Sequence, residues 1–296
     1  VILWLSVIGG VAFLIAAGLL LCLAMGRFLW RQTAQKVRTT LEANRMEPGS
    51  TVVDFKDFGG LPDPVHRYFR TVLTDGQPVV ASARIVHRGQ FNMSEGGERW
   101  KPFTSEQAVT AARPGFDWEA RIRMAPGLSV LVRDAYAGGH GILKASLAGL
   151  FTVAELPDSP ELASGELMRF LAEAVWYPTF LLPGPFVRWE EAGGSSAKAT
   201  LADGGTAVSL VFHFGSDGLV ERVRAKSRPR TLGGRTVDTP WEGRFRAWER
   251  HGGMLVPTEG EVAWITPEGS QAYWRGKTER IEYLFAVGSA LEMPRC

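Results

Sequence analysis

Cysteine is almost missing from this chain. Of 296 residues two are Cys, one at position 22 inside an apolar run and one at position 296. That placement supports neither a disulfide framework nor a cysteine nucleophile, and it leaves the redox compartment open. The five histidines, at 66, 87, 140, 213 and 251, stand singly. His-x-His, HExxH and paired-Cys spacings are absent, so no metal site is expected. A Gly-x-Ser-x-Gly elbow and a Walker loop are also absent. Gly139-His140-Gly141 lacks the third glycine of a dinucleotide loop. It reads as a hairpin turn with His140 at its tip beside Asp134 and Tyr136. No cofactor is expected. Neither sign of charge dominates: 33 Lys and Arg against 31 Asp and Glu give a net charge of +2. A broad nucleic-acid-binding face is therefore excluded.

Charge is wholly missing from Val1 to Gly26. As a helix this run is about 39 Å long, enough to cross a hydrocarbon core of roughly 30 Å with some tilt. It is too long for the apolar core of a signal peptide, and Ala24-Met25-Gly26 is a poor cleavage site, so it reads as a retained single-pass anchor. Arg27, Arg31, Lys36 and Arg38 follow at once, with no Lys or Arg before them. This basic flank favours a cytoplasmic position for the C-terminal domain. Trp4 and Trp30 are expected at the two interfaces. The domains are then a transmembrane anchor over 1–26, a juxtamembrane basic helix and linker over 27–50 closed by Pro48-Gly49-Ser50, and one large domain over 51–296.

That domain is rich in short alternating runs. Phe116, Trp118, Ala120, Ile122 and Met124 alternate with Asp117, Glu119, Arg121 and Arg123, which predicts a half-buried antiparallel strand with a charged outer face. The runs Thr206 to Phe214 and Leu219 to Lys226 flank a Gly-Ser-Asp-Gly turn and make the strongest hairpin. Leu61 to Arg70 predicts a short helix capped by Asp63, with Val65, Tyr68 and Phe69 inward. Leu143 to Ala154 fits a strand or a short helix. In all, ten or eleven strands are expected. The fold class is α+β, mainly antiparallel β: an N-terminal transmembrane helix, then a strongly curved open or half barrel wrapped on a central helix over 164–178.

The central helix carries an apolar stripe of Leu167, Phe170, Leu171 and Ala174, with Ser164 as its cap. Glu166, Arg169 and Glu173 form a polar network at i, i+3 and i+7, in which Arg169 can reach both carboxylates. One reading is a carboxylate pair with divergent pKa values. The other is an ion-paired face docked on strands, favoured because such spacing is common on helices. Trp118, Tyr136, Trp176, Trp241 and Trp264 are the candidate lining of an apolar ligand cavity, with core packing as the alternative. Trp118-Glu119-Ala120-Arg121 is echoed by Trp241-Glu242-Gly243-Arg244, which suggests equivalent strands with Trp inward and Glu and Arg outward.

Leu61-Pro62-x-Pro64-Val65-x-Arg67-Tyr68, Pro114-Gly115-Phe116-x-Trp118-x-Ala120-Arg121, Gly165-Glu166-Leu167-x-Arg169-Phe170, Thr239-Pro240-Trp241 and Val262-Ala263-Trp264 occur in order. In these motifs the chain resembles an uncharacterised bacterial membrane-anchored family, a domain of unknown function numbered 6544 or 6920. That resemblance implies no activity and no catalytic residues. A fainter fold-level similarity is to envelope lipoprotein carriers, which implies a lidded, unclosed barrel for acyl chains and an extracytoplasmic site, against the basic flank. The preferred expectation is a membrane-tethered binding protein for a lipid-like or other apolar ligand. The alternatives are a carboxylate-dependent hydrolase or isomerase acting near Glu173, and an envelope scaffold. The reading leans away from an enzyme. Partners are the membrane and an apolar small molecule; oligomeric state is not legible.

Overall fold

The computed structural model describes residues 2–286 apart from 48 and 95. Cys296 and the end of the expected domain lie outside the described residues. Helix α1 runs unbroken over Ile2–Ala43. Among the described residues it is the one helix long and apolar enough to cross a membrane. Its first half bares Trp4, Phe13, Leu14 and Leu20. Its second half buries Trp30, Val37 and Leu41, which recur on one helical face. Trp30, expected at an interface, packs against the sheet. The Arg133 guanidinium lies 5.5 Å from its ring, between helix and sheet.

Among the described residues thirteen strands form one antiparallel sheet. They are β1 (Val80–Asn92), β2 (Trp100–Thr110), β3 (Gly115–Ala125), β4 (Leu128–Ala137), β5 (His140–Leu147), β6 (Phe151–Leu156), β7 (Val187–Glu191), β8 (Ser196–Asp203), β9 (Thr206–Phe214), β10 (Val220–Leu232), β11 (Arg235–His251), β12 (Met254–Thr266) and β13 (Gly269–Phe285). β1 pairs with β13 at the centre. Two meanders lead outward from this pair to the edges β6 and β7. A sheet this wide curls. The curl brings the β4–β5 turn against the β8–β9 turn, where a Cβ on Gly204 would sit 2.7 Å from the Gly139 Cα. The result is a half barrel.

The chain must pass from edge to edge between β6 and β7, and it does so through α3 (Pro160–Glu173), which crosses the concave face. The helix begins before the expected start. Ser159, not Ser164, is the cap: its hydroxyl accepts from the Leu162 N–H at 3.2 Å, and Pro160 takes the first helical position. After Glu173 the backbone tightens into 3-10 turns over Ala174–Trp176 and Pro178–Leu181, because Pro178 cannot continue an α-helix. Leu167, Phe170, Leu171 and Ala174 are buried. The shorter α2 (Asp63–Val72) buries Val65, Tyr68 and Phe69, but Asp63 lies inside its first turn and Pro62 holds the cap position without a side-chain bond. The carboxylate there faces the positive end of the helix dipole instead.

Further differences from the expected pattern have local causes. Leu143 to Ala154 is two strands, split where Ala148 and Gly149 take positive φ. Gly138 and Gly139 alone make the preceding turn, so His140 opens β5 and pairs with exposed Asp158 at 2.7 Å, not with Asp134 or Tyr136. The outer face of β3 and β4 is not simply solvated. Asp117 and Arg133 are buried there under α1, and Arg133 bonds both Asp117, at 2.9 Å, and Glu119. Glu242, on the echoing strand, is buried beneath Arg224 and Arg244.

Candidate functional site

Where α3 crosses the sheet it does not fill the hollow. A cavity of about 860 Å³ remains between the helix and the concave face. Of the expected lining, Trp118, Trp176, Trp241 and Trp264 border this cavity. Tyr136 does not. It is fully buried where the curl closes, and its hydroxyl donates to Asp203 Oδ2 at 3.0 Å. β13 adds Tyr273 and Trp274, consecutive residues that both line the cavity where the register against β12 shifts. Trp264 stacks on Tyr273 at 5.5 Å between centroids, and Trp176 donates its indole N–H to the Pro257 carbonyl at 2.8 Å. These bonds hold large rings upright as walls.

Glu166, Arg169 and Glu173 all line the cavity. Arg169 does not bridge the two helical carboxylates. Its Nε donates to Glu173 Oε1 at 2.8 Å, and its Nη1 crosses to Asp134 Oδ2 on β4 at 2.8 Å. The guanidinium also lies over the rings of Trp118, at 4.6 Å, and Phe116, at 5.0 Å. Gln107 Nε2 donates to the other Glu173 oxygen at 2.7 Å. Glu173 is therefore held on both sides. Glu166 is buried with its Oε2 unpartnered. Burial, and then the neighbouring Asp134 charge, push its pKa up to about 8. Asp134 also titrates above its ordinary range, because burial outweighs the pull of Arg169. The carboxyls of Glu166, Asp134 and Glu173 and the guanidiniums of Arg169 and Arg228 thus share one wall of the cavity.

Arg228 and Asp134 carry no motif. Asp134 occupies an inward position of an alternating strand, and that break in pattern is its only signal. Arg228 reaches inward through a register shift after Ala225. It donates to the Gly165 carbonyl at 3.1 Å and to the Tyr273 hydroxyl at 3.1 Å, with its guanidinium 5.2 Å from the Trp241 ring. The Tyr273 hydroxyl also accepts the Trp241 indole N–H at 2.9 Å. His87 packs behind the wall, with ring centroids 4.9 Å from Trp176 and 5.6 Å from Trp274. Burial, then the Arg169 charge, lower its pKa to about 3, so it stays neutral. Among the described residues no group of three or more His, Cys, Asp or Glu is arranged to hold a metal. The site is thus a hollow with aromatic walls and one polar patch in which the buried Glu166 carboxyl keeps an unpartnered oxygen. It suits an apolar body with a small hydrogen-bonding group.

Two solved structures resemble the chain in fold. One is a LolA superfamily protein from Nitrosomonas europaea, 8% identical, with a TM-score of 0.39, covering 74% of this chain and 91% of its own. The other is a beta-barrel-like protein of domain of unknown function DUF1849 from Brucella abortus, 11% identical, with a TM-score of 0.21, covering 70% of this chain and 99% of its own. No curated protein matches significantly. A family profile matches residues 59–283, and of the numbers 6544 and 6920 it carries the second. The chain belongs to DUF6920, a family of unknown function.

Proposed function

We propose that this protein is a membrane-tethered binding protein for a lipid-like or other apolar ligand, with α1 as the single-pass anchor and the half barrel as the binding domain. One observation carries this reading: the hollow of about 860 Å³ walled by Trp118, Trp176, Trp241 and Trp264. Its size falls within the roughly 300–1,000 Å³ of small-molecule sites. The ligand's apolar body lies against these rings and its polar group reaches Glu166. Native mass spectrometry of the full chain, extracted from membranes in a mild detergent, tests this. A lipid-sized adduct that is lost in Leu143→Trp, which narrows the hollow from β5, supports it; a native chain without adduct overturns it. The basic flank Arg27 to Arg38 favours a cytoplasmic binding domain, and protease protection in sealed vesicles measures the side.

A second reading is acid–base chemistry on a bound substrate. It is favoured by two neighbouring carboxyls, Glu166 and Asp134, whose pKa values burial raises. The role belongs to Glu166 and not to Glu173, whose oxygens are both engaged. Turnover abolished by Glu166→Gln with ligand binding intact is the outcome that separates the two readings.

A further inference from the structure

The second half of α1 lies along β3 and β4, and the two ends of this docked stretch fix which way the half barrel points. At one end Gly26 is pressed on the β5–β6 turn, so that a Cβ there would sit 2.9 Å from the Ala148 carbonyl oxygen. At the other end Arg113 Nη1 donates to Asn44 Oδ1 at 2.9 Å, and the Asn44 side chain packs on Gly138. Toward its N-terminus the helix therefore leaves the sheet at the β5–β6 end. It leaves at Gly26, where the charge-free run begins.

The strand pairing carries that end around the sheet. Leu147 pairs with Val130, Ala125 with Leu128, Phe103 with Ile122, Asn92 with Trp100 and Phe91 with Trp274. The tips of β1–β2, β10–β11 and β12–β13 stand at this same end, and they border the cavity through residues such as Asn92, Leu232 and Ser270. Exposed apolar side chains gather here too. Beyond Val52, the large exposed apolar residues among those described are Leu128, Phe151, Val153, Val237 and Leu284. The first four lie at or near this end; Leu284, paired near Ser82, lies at the other. Phe151 is 68% exposed and Val153 56%. They sit on edge strand β6, whose Ala154 and Leu156 border the cavity.

We propose that this end of the half barrel rests on the bilayer that holds α1, with Leu128, Phe151, Val153 and Val237 among the lipid headgroups. An apolar ligand then moves between bilayer and cavity past the hairpin tips and β6 without crossing water. The occupant of the apolar rim is the membrane, because the anchor itself enters the bilayer beside that rim. The ligand route rests on the binding function proposed above; the orientation does not.

Two measurements on the full chain in phosphatidylcholine–phosphatidylglycerol vesicles test this. In a Cys22→Ser, Cys296→Ser background, an environment-sensitive dye is placed at Phe151→Cys or at Ser216→Cys, on the β9–β10 turn at the far end. The dye at 151 is expected to be quenched by headgroup-region spin-labelled lipid and shielded from iodide, with the reverse at 216. Equal iodide access at both sites overturns the proposal. The Phe151→Glu, Val153→Glu pair changes exposed positions only. It is expected to slow loading of a fluorescent lipid from vesicles at least fivefold while leaving loading from detergent micelles unchanged. Equal slowing from both sources overturns the route. If the native chain loads from neither source, the binding function falls, and the dye result still decides the orientation.

Discussion

Arg169 Nη1 donates to Asp134 Oδ2 at 2.8 Å, and this bond fastens α3 to β4 in the wall of the hollow. The same guanidinium holds Glu173 at 2.8 Å. Both pairs are largely shielded, with side-chain exposures of 15–17%. Arg169→Met strands two carboxylates in a poorly hydrated place. The expected loss is about 3 kcal/mol, in the range for breaking a buried pair from one side. Thermal unfolding of the detergent-solubilised chain measures it. Adding Asp134→Asn to the variant restores part of the loss, and a destabilisation that stays unchanged refutes the assignment.

Glu166 sets a pH dependence. Its folded-state pKa, near 8, lies above its ordinary value of 4.5 because burial and the Asp134 charge disfavour the anion. The unfolded chain therefore releases this proton first as pH rises. The stabilising contribution is complete below about pH 4.5 and is lost progressively up to about pH 8. Glu166→Gln removes the ionisation, so its stability is expected to fall less than that of the native chain between pH 5 and 8. Parallel melting-temperature curves for the two proteins across that window count against the assignment.

Gly276 lies between Gly89 and Gly260 in a cross-strand row. A Cβ on it would overlap the Trp274 ring, and a Cβ on Gly260 would come within 3.4 Å of both Trp274 and Trp176. Glycine is needed here for close approach, not for a turn. Gly276→Ala drives Trp274 off its seat in the cavity wall, with an expected cost of about 1–3 kcal/mol. Near-ultraviolet circular dichroism reports the displaced ring. Gly184→Ala, whose Cβ meets only a carbonyl oxygen at 3.9 Å, serves as the near-neutral control.

Arg133 is wholly buried between Asp117, Glu119 and the Trp30 ring. Arg133→Met leaves Asp117 enclosed without its partner. The expected cost is about 3 kcal/mol, concentrated where α1 meets the sheet. Hydrogen exchange over residues 30–43 should rise tenfold or more, while α3 amides stay protected. Uniform acceleration in both helices would show that α1 and the sheet do not open separately.

Much of the fold is legible in local chemistry. The charge-free first 26 residues, the alternation from Phe116 to Met124 and the Gly-rich turns each act within a few neighbours, so the sequence by itself determined a long apolar helix, many antiparallel strands and two shorter helices. Ser159-Pro160 marked the true start of α3, but the apolar stripe after Gly165 masked it. What only the tertiary structure decided is which side chains share a space. Asp134 and Arg228 reach the cavity through strand pairing and a register shift; Tyr136 leaves it because the curl brings Asp203 to its hydroxyl. Glu166 holds its proton because α3 and β4 meet. Periodicity tells a side chain which way to face, whereas enclosure and charge coupling depend on the residues of distant strands that come to face it.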